Sequence, residues 1–433
     1  MPKTKVAIVG VGTVGAGVAR ILLDHGDRTA KNAGATLWLE KAVVRDLSRD
    51  RDCQLPDGVL TDDLNEIIND PEIKVVAQLM GGVDEARTTM LRLLEAGKDI
   101  VTANKALVAE HGPELFSRAH ELGRSIAFDA AVAGGIPIIT NLTQCLTANQ
   151  VTSLVGILNG TSNFIVSKME EDGNDYNDAV REAQVRGYAE ADPTMDVDGS
   201  DAAQKLAILA HIAFGASIDW KEIPRVGIDS LDPIDLQFAK ELGYRVKLLA
   251  VARMTDNGLE LHVSPTLVKI GRPLAEVRGA YNAIKVTGDQ VGDLLYHGLG
   301  AGQKPTASSV VADMIDTAVG RTELTFRTLK LFSSHNPDVA LCPPADIIGR
   351  YYFRFLVDDR PGVMAEIAAI LGTHNISIAS VIQHAPDVEG DNAVVSLIIM
   401  THTATDGDAD AALDEIVRLE SVRAGNRKLR VQD

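Results

Sequence analysis

Residues 5–9, Lys-Val-Ala-Ile-Val, form a short β-branched run that ends in glycine, and apolar residues then recur at helical spacing from Val14 to Leu23. Leu37–Val44 and Val75–Met80 read as further strands. Helix and strand signals alternate onward through Ala86–Ala96, Asp99–Thr102, Pro113–Leu122 and Ser125–Ala130. This alternation predicts an α/β layout, a doubly wound parallel sheet with helices on both faces.

The pattern then changes. Helical spacing over Asn163–Glu171, Tyr176–Arg186, Asp201–Phe214 and Pro233–Glu241 mixes with strand signals at Val151–Leu158, Arg245–Met254, Leu259–Leu267 and Ala283–Thr287. That predicts an α+β domain, a sheet with helices on one side. After Gly320 the periodicity fades, and Ser333–Pro344 reads as a linker, since X-Pro bonds disfavour helix on the preceding residue. A compact strand–helix–strand–strand–helix–strand order closes the chain: Tyr351–Val357, Val363–Thr373, Ile378–His384, Ala393–Met400, Asp408–Leu419 and Lys428–Val431. The expected limits are 1–135 (completed by 303–320), 136–302, a linker over 321–349, and 350–433.

Charge narrows the function. Against 42 Lys and Arg stand 60 Asp and Glu, so the net charge is −18. Nucleic-acid binding needs clustered cations, and only 4% of residues are aromatic, so neither phosphate nor base stacking is served. No apolar run approaches the roughly 18 residues of a membrane span, and no signal-peptide pattern precedes Gly10. Three scattered cysteines, Cys53, Cys145 and Cys342, give no disulfide framework or zinc spacing. A cytoplasmic location is expected. An anionic ligand would need a local device.

Gly10-Val-Gly12-Thr13-Val14-Gly15 supplies one, placed between the first strand and its helix. Gly10 permits the tight turn, Gly12 lets a pyrophosphate approach, and Gly15 allows close helix–strand packing, as in a Rossmann-type dinucleotide site. The helix start adds free N–H groups and a positive dipole end. After the second strand, Arg45 favours the 2′-phosphate of NADP, while Asp46 beside it leaves NAD open.

The stretch from Gly187 to Lys205 places Glu190, Asp192, Asp196, Asp198 and Asp201 ahead of one lysine. Asp201 and Lys205 stand at i,i+4 on one helix face. A lysine among carboxylates keeps its proton and can pass it to a carbonyl oxygen as hydride arrives. An exposed ion pair with acidic capping is the plain alternative, and an EF-hand ladder is missing. Lys105 follows the Asp99–Thr102 strand, at the sheet edge where ligands collect. The Asn159–Asn163 turn starts a helix, with Thr161 or Ser162 as expected caps.

Taken together, Gly10–Gly15, Thr102-Ala-Asn-Lys105, Ile157–Asn163, Gly187–Pro193 and Asp198–Lys205 resemble homoserine dehydrogenase over residues 1 to about 320. The resemblance implies interconversion of L-homoserine and L-aspartate 4-semialdehyde with NAD(P), on the route to threonine, methionine and isoleucine. It implies Lys205 as acid–base residue with Lys105 as a second active-site lysine. Glu190, Asp201, Tyr188, Asn159 and Thr161 would serve the substrate. Gly81, Gly187 and Gly302, with Lys105, would face the cofactor, although Leu299 stands where the family has proline. Asp129, Val132, Gly134 and Ile136 fall on the segment that holds a monovalent cation, typically sodium, and Asp129 replaces the usual Glu. The segment from Tyr351 resembles the ferredoxin-like ACT amino-acid sensor. Gly362, Asn375 and Ile376 would then meet an effector, L-threonine in this family. Homodimers or homotetramers are expected. The rival readings are another amino-acid or oxo-acid dehydrogenase, and a non-catalytic sensor, which two placed lysines argue against.

Overall fold

The computed structural model describes residues 3–24, 26–332, 339–384 and 394–432. Residues 333–338 of the expected linker, and Ala393, lie outside the described residues. The chain forms two compact units, each gathered from separate stretches: 1–152, 201–223 and 281–339 in the first, 153–200, 224–280 and 340–433 in the second.

The first unit is built on six parallel strands. In spatial order they are Leu60–Thr61, Thr36–Val43, Lys3–Val9, Ile73–Gln78, Asp99–Thr102 and Ile126–Ala127. Every neighbouring pair is parallel, and the 3-2-1-4-5-6 order is that of a doubly wound dinucleotide fold. The central strand is buried on both faces at Val6–Val9, which is why it reads as an unbroken apolar run. The Gln303–Ala318 helix packs Ala307, Val310, Val311 and Met314 into the same core.

Two expected elements of this unit take a different form. The helix expected at Pro113–Leu122 starts eight residues earlier and runs Lys105–Glu121 through Pro113. Leu107, Val108, Leu115, Phe116 and Ala119 are buried along it, so packing of the apolar face outweighs the lost proline N–H. The linker expected from residue 321 opens with a helix, Arg321–Leu329. Its one buried side chain, Phe326, stacks on Phe116 at 5.5 Å, too little periodicity to register in the sequence.

In the second unit the long hairpin Tyr244–Thr255 and Gly258–Lys269 pairs antiparallel along its whole length. The final strand, Val422–Gln432, joins it in parallel through Arg430–Gln432 against Thr266–Val268. Beyond it lie Ile348–Asp358, Val394–Thr401 and Ile378–Gln383, all antiparallel. With helices Val363–Thr373 and Asp406–Ile416 this is a βαββαβ module with its own core around Phe353, Phe355, Ile367 and Leu397. Tyr352 and Arg354 leave that core and bind the fully buried Asp235 of helix Pro233–Glu241, the guanidinium at 2.6 and 2.9 Å and the phenol at 3.0 Å.

Candidate active site

The glycine turn has the expected form. Gly10 sits at φ +98°, and a Cβ there would lie 2.9 Å from the Leu79 carbonyl carbon. A Cβ on Gly12 would meet no atom within 4 Å, whereas one on Gly15 would run into the Gly10 carbonyl oxygen. Thr13 and Val14 open the Thr13–Asp24 helix, whose first turn carries no acidic residue, and Gly12 and Thr13 are exposed. Exposed N–H groups at a helix start, approachable over a bare glycine, fit a dinucleotide pyrophosphate. Sequence reasoning missed Gly17. A Cβ on it would lie 2.9 Å from Ala307 Cβ and Gln303 Cγ, so this glycine sets the helix–helix approach.

Arg45 follows the second strand, is exposed, and pairs with Glu85 at the start of the Asp84–Glu95 helix. Asp46 turns back: its Oδ1 accepts from Ser48 N and Oγ at 2.8 and 2.6 Å. Those Ser48 hydrogen bonds hold the Asp46 carboxyl below the ordinary carboxylate range. One oxygen of the residue that would read a ribose hydroxyl is thus engaged locally, which favours Arg45 as the reader. The loop beyond is tied down through Asp52, which takes Arg20 at 2.9 Å and Gln303 at 3.1 Å.

Asn104, absent from the sequence reading as a site residue, organises the next loop. Its Oδ1 caps the Lys105–Glu121 helix at Leu107 N, 3.0 Å. Its Nδ2 donates to Met80 O and Gly82 O at 3.1 and 2.7 Å, fixing exposed Gly81 between them. Gly302, at φ +111°, starts the Gln303–Ala318 helix. Ahead of it Gly135 N donates to Leu299 O at 3.0 Å, which ties the segment before Gly302 to the Gly134–Gly135 turn.

The chemical centre of this unit is one carboxylate. Asp201, 5% exposed, accepts from Lys205 Nζ on Oδ2 at 2.7 Å and faces Lys105 Nζ with Oδ1 at 3.1 Å. Lys205 is buried on the Ser200–Phe214 helix, one turn from Asp201. Sequence spacing gave the i,i+4 pair. The arrival of Lys105 on the second oxygen needed the fold, because 96 positions separate it from Asp201 along the chain. Further down the helix, His211 Nε2 accepts from Phe332 N at 2.6 Å, and the two rings stack at 4.0 Å.

In the second unit Asn159, and neither Thr161 nor Ser162, caps the Gly160–Asp172 helix: its Oδ1 accepts from Ser162 N at 2.7 Å. Asparagine reaches the N3 amide from the cap position, and the two hydroxyls, one and two residues inside the helix, turn elsewhere. Thr161 Oγ1 donates to Tyr188 O and Ser162 Oγ to Asp196 O, both at 2.6 Å, while Asn159 Nδ2 reaches Asp196 Oδ1 at 2.8 Å. The loop carrying Gly187 (φ +74°), Tyr188 and Glu190 is therefore laced onto this helix start, and all three residues are exposed. The acidic stretch serves capping as well, with Asp198 holding Ser200 N at 2.7 Å.

Asp129 does not stand free as a cation ligand. Its Oδ1 accepts from Thr140 N at 3.0 Å, Ile139 N donates to the same carboxylate, and its own N–H goes to Asp313. Burial pushes the Asp129 carboxyl up to about 6 against the pull of those amides, and burial with Asp129 alongside raises Asp313 strongly. Gly134 O accepts from Ser309 Oγ at 2.5 Å and Ile136 O from Ile138 N at 2.7 Å; Val132 is buried. Among the described residues no group of three or more His, Cys, Asp or Glu is placed to hold a metal ion. In the βαββαβ module, Gly362 (φ +99°) starts the Val363–Thr373 helix and Asn375 (φ +57°) follows it. The Ile376 side chain lies in the core, so only its backbone is left for a ligand. No helix of the described residues is long and apolar enough to cross a membrane.

Comparison with known proteins agrees with this geometry. The NAD-binding domain of homoserine dehydrogenase matches residues 10–129, the homoserine dehydrogenase domain matches 137–315, and the ACT domain matches 351–421. A homoserine dehydrogenase of Pseudomonas aeruginosa is 41% identical over 440 residues, spanning 100% of this chain and 99% of the relative. The crystal structure of a homoserine dehydrogenase from Thiobacillus denitrificans superposes with a TM-score of 0.92 at 41% identity, covering 100% and 99% of the two chains. A hyperthermophilic archaeal homoserine dehydrogenase mutant in complex with NADPH gives 0.61 at 26% identity over 73% of this chain and 98% of that one.

Proposed function

The chain belongs to the homoserine dehydrogenase family, oxidoreductases acting on a CH–OH group with NAD(P), and from that we propose an NADP-preferring enzyme that interconverts L-homoserine and L-aspartate 4-semialdehyde in the cytoplasm. Its products would feed threonine, methionine and isoleucine synthesis. One observation carries the reading: Lys105 and Lys205 meet on the two oxygens of buried Asp201.

When bound, the dinucleotide would supply hydride chemistry; Gly10, Gly12, Thr13, Val14 and Gly15 would hold its pyrophosphate, and Gly81, Gly187 and Gly302 its other parts. Arg45 would receive the 2′-phosphate in place of Glu85, as a charge-assisted contact. In reduction the Lys205 ammonium would give a proton to the carbonyl oxygen, and in oxidation the neutral amine would take that proton from the C4 hydroxyl. Asp201 holds that amine in place, and Lys105 adds a second positive group. Glu190, Tyr188, Asn159 and Thr161 would position the amino-acid end of the substrate. A monovalent cation such as sodium would rest on the carbonyls of Val132, Gly134 and Ile136, since the Asp129 carboxylate already serves amides.

L-Threonine would act back through the module at 350–433, near Gly362, Asn375 and the Ile376 backbone. The limits 1–135 with 303–320, 136–302, 321–349 and 350–433 are offered as cofactor, substrate, linker and sensor parts. Homodimers or homotetramers would cover the Gly292–Leu299 strand, where Leu295 and Leu299 are exposed. Steady-state kinetics tests the whole reading. Homoserine-dependent NADP reduction should exceed NAD reduction in kcat/KM, and threonine should lower it. A protein that oxidises other hydroxy acids and leaves homoserine untouched would overturn it.

A further inference from the structure

Arg45 and Glu85 come from the two loops that flank the glycine turn. The Lys3–Val9 strand lies between Thr36–Val43 and Ile73–Gln78, and all three run parallel, so their carboxyl ends stand side by side. Arg45 follows the first neighbour and Glu85 the second. Neighbouring strands lie about 4.8 Å apart, so the two outer strands are roughly 10 Å from each other, and the Arg45–Glu85 pair spans the end of the central one. In a doubly wound fold the dinucleotide crosses this edge. Both loops are pinned to the central strand, since Gly10 N donates to Val43 O at 2.9 Å and Leu79 N to Val9 O at 2.8 Å.

On these fixed bases the pair is free to part. The Arg45 side chain is 72% exposed and that of Glu85 58%, so little beyond their charges keeps them together. The neighbouring charged groups are spent within the loop. Asp46 accepts from Ser48, and the Arg51 guanidinium donates to Arg49 O at 2.6 Å and to Asp46 O. Glu85 also has somewhere to go. It sits with Asp84 in the first turn of the Asp84–Glu95 helix, where the dipole favours a carboxylate. Releasing Arg45 therefore strands no charge, but it leaves two carboxylates at the edge where the cofactor lies.

A guanidinium takes a carboxylate or a phosphate through the same fork of N–H groups. We propose that Glu85 is a specificity-determining residue for the cofactor, competing with the 2′-phosphate of NADP for Arg45 and so narrowing the preference for NADP over NAD. This rests on the reading of Arg45 as the residue that meets that phosphate. NADP has to break the ion pair and bring a phosphate, with its charge of about −1.5 to −2, toward a carboxylate. NAD carries a hydroxyl at the same position and leaves the pair closed.

Fluorescence titration of the full chain with NADPH and with NADH, each without substrate, tests this. Glu85→Gln keeps the shape of an exposed side chain and removes its charge. It should tighten NADPH about fivefold (~1 kcal/mol), the upper worth of an exposed pair, and move NADH less than twofold. Arg45→Ala should weaken NADPH, and adding Glu85→Gln to it should recover less than twofold, because competition needs both partners. A Glu85→Gln gain under twofold, an equal gain for NADH, or the same gain with and without Arg45 overturns the proposal. Loss of NADPH affinity in Arg45→Ala with no gain in Glu85→Gln overturns the competition alone, whereas intact affinity in Arg45→Ala overturns the reading of Arg45 and the competition with it.

Discussion

Asp201 offers the sharpest test of the catalytic reading. Asp201→Asn keeps the shape of the side chain, removes its charge, and turns an N–H₂ group toward one of two lysines. In the structure the carboxylate lies 2.7 Å from Lys205 Nζ and 3.1 Å from Lys105 Nζ, and Asp201 and Lys205 are both buried. Removing one partner of a buried pair costs about 3–5 kcal/mol, because the other charge is left desolvated. If about 3 kcal/mol of this falls on the transition state, kcat/KM drops roughly 150-fold. The loss should appear in kcat, since the proposed step has Lys205 act on the reacting oxygen. The glycine turn is untouched, so the NADPH dissociation constant, read from its fluorescence, should stay within about twofold (~0.4 kcal/mol). Asp201→Glu restores the charge one methylene further out and should fall between wild type and Asn. An Asn variant that turns over within about threefold of wild type would show that the carboxylate does not position the lysines.

Arg45→Ala should weaken kcat/KM for NADPH by about tenfold to a hundredfold, the worth of a charge-assisted phosphate contact, and leave NADH nearly unchanged; equal effects on both cofactors would remove Arg45 as the reader. Lys247 is buried and donates to Val277 O at 2.5 Å and Asn163 Oδ1 at 3.2 Å, and burial lowers its pKa from 10.5 to about 8. Between those values the unfolded chain binds the extra proton, so Lys247 makes stability rise with pH, by about 3 kcal/mol in full. Urea midpoints of wild type relative to Lys247→Met should therefore climb from pH 8 to 10.5, and a constant difference refutes the assignment. Phe332→Ala loses a ring that stacks on His211 at 4.0 Å and lies tilted against Phe116 at 4.6 Å. The truncation costs about 3–5 kcal/mol, and alanine keeps its Cβ, so the strain at φ +57° stays. A destabilisation near 3–5 kcal/mol is expected in urea unfolding, and one under about 1 kcal/mol would refute the packing role.

The sequence made the strand–glycine–helix entry legible because each step has a local signal: a β-branched run, a left-handed glycine, an amphipathic helix. Asp201 and Lys205 were legible for the same reason, as neighbours one helical turn apart. Lys105 reaches them only through the sheet, and Asn104, Gly17 and Phe332 earn notice only once distant loops and helices close on them. Pro113 misled because a local breaker was outweighed by a buried face.

The parallel seam at Arg430–Gln432 and the Arg354–Asp235 pair bear on how this protein could be divided. A gene cut before residue 350 would leave the Gly258–Lys269 strand with a bare edge and a carboxylate sealed in the interior without its cation. The ACT module and the hairpin part of this unit are thus not separable cassettes. They share backbone and a buried charge, and should unfold together in one cooperative step.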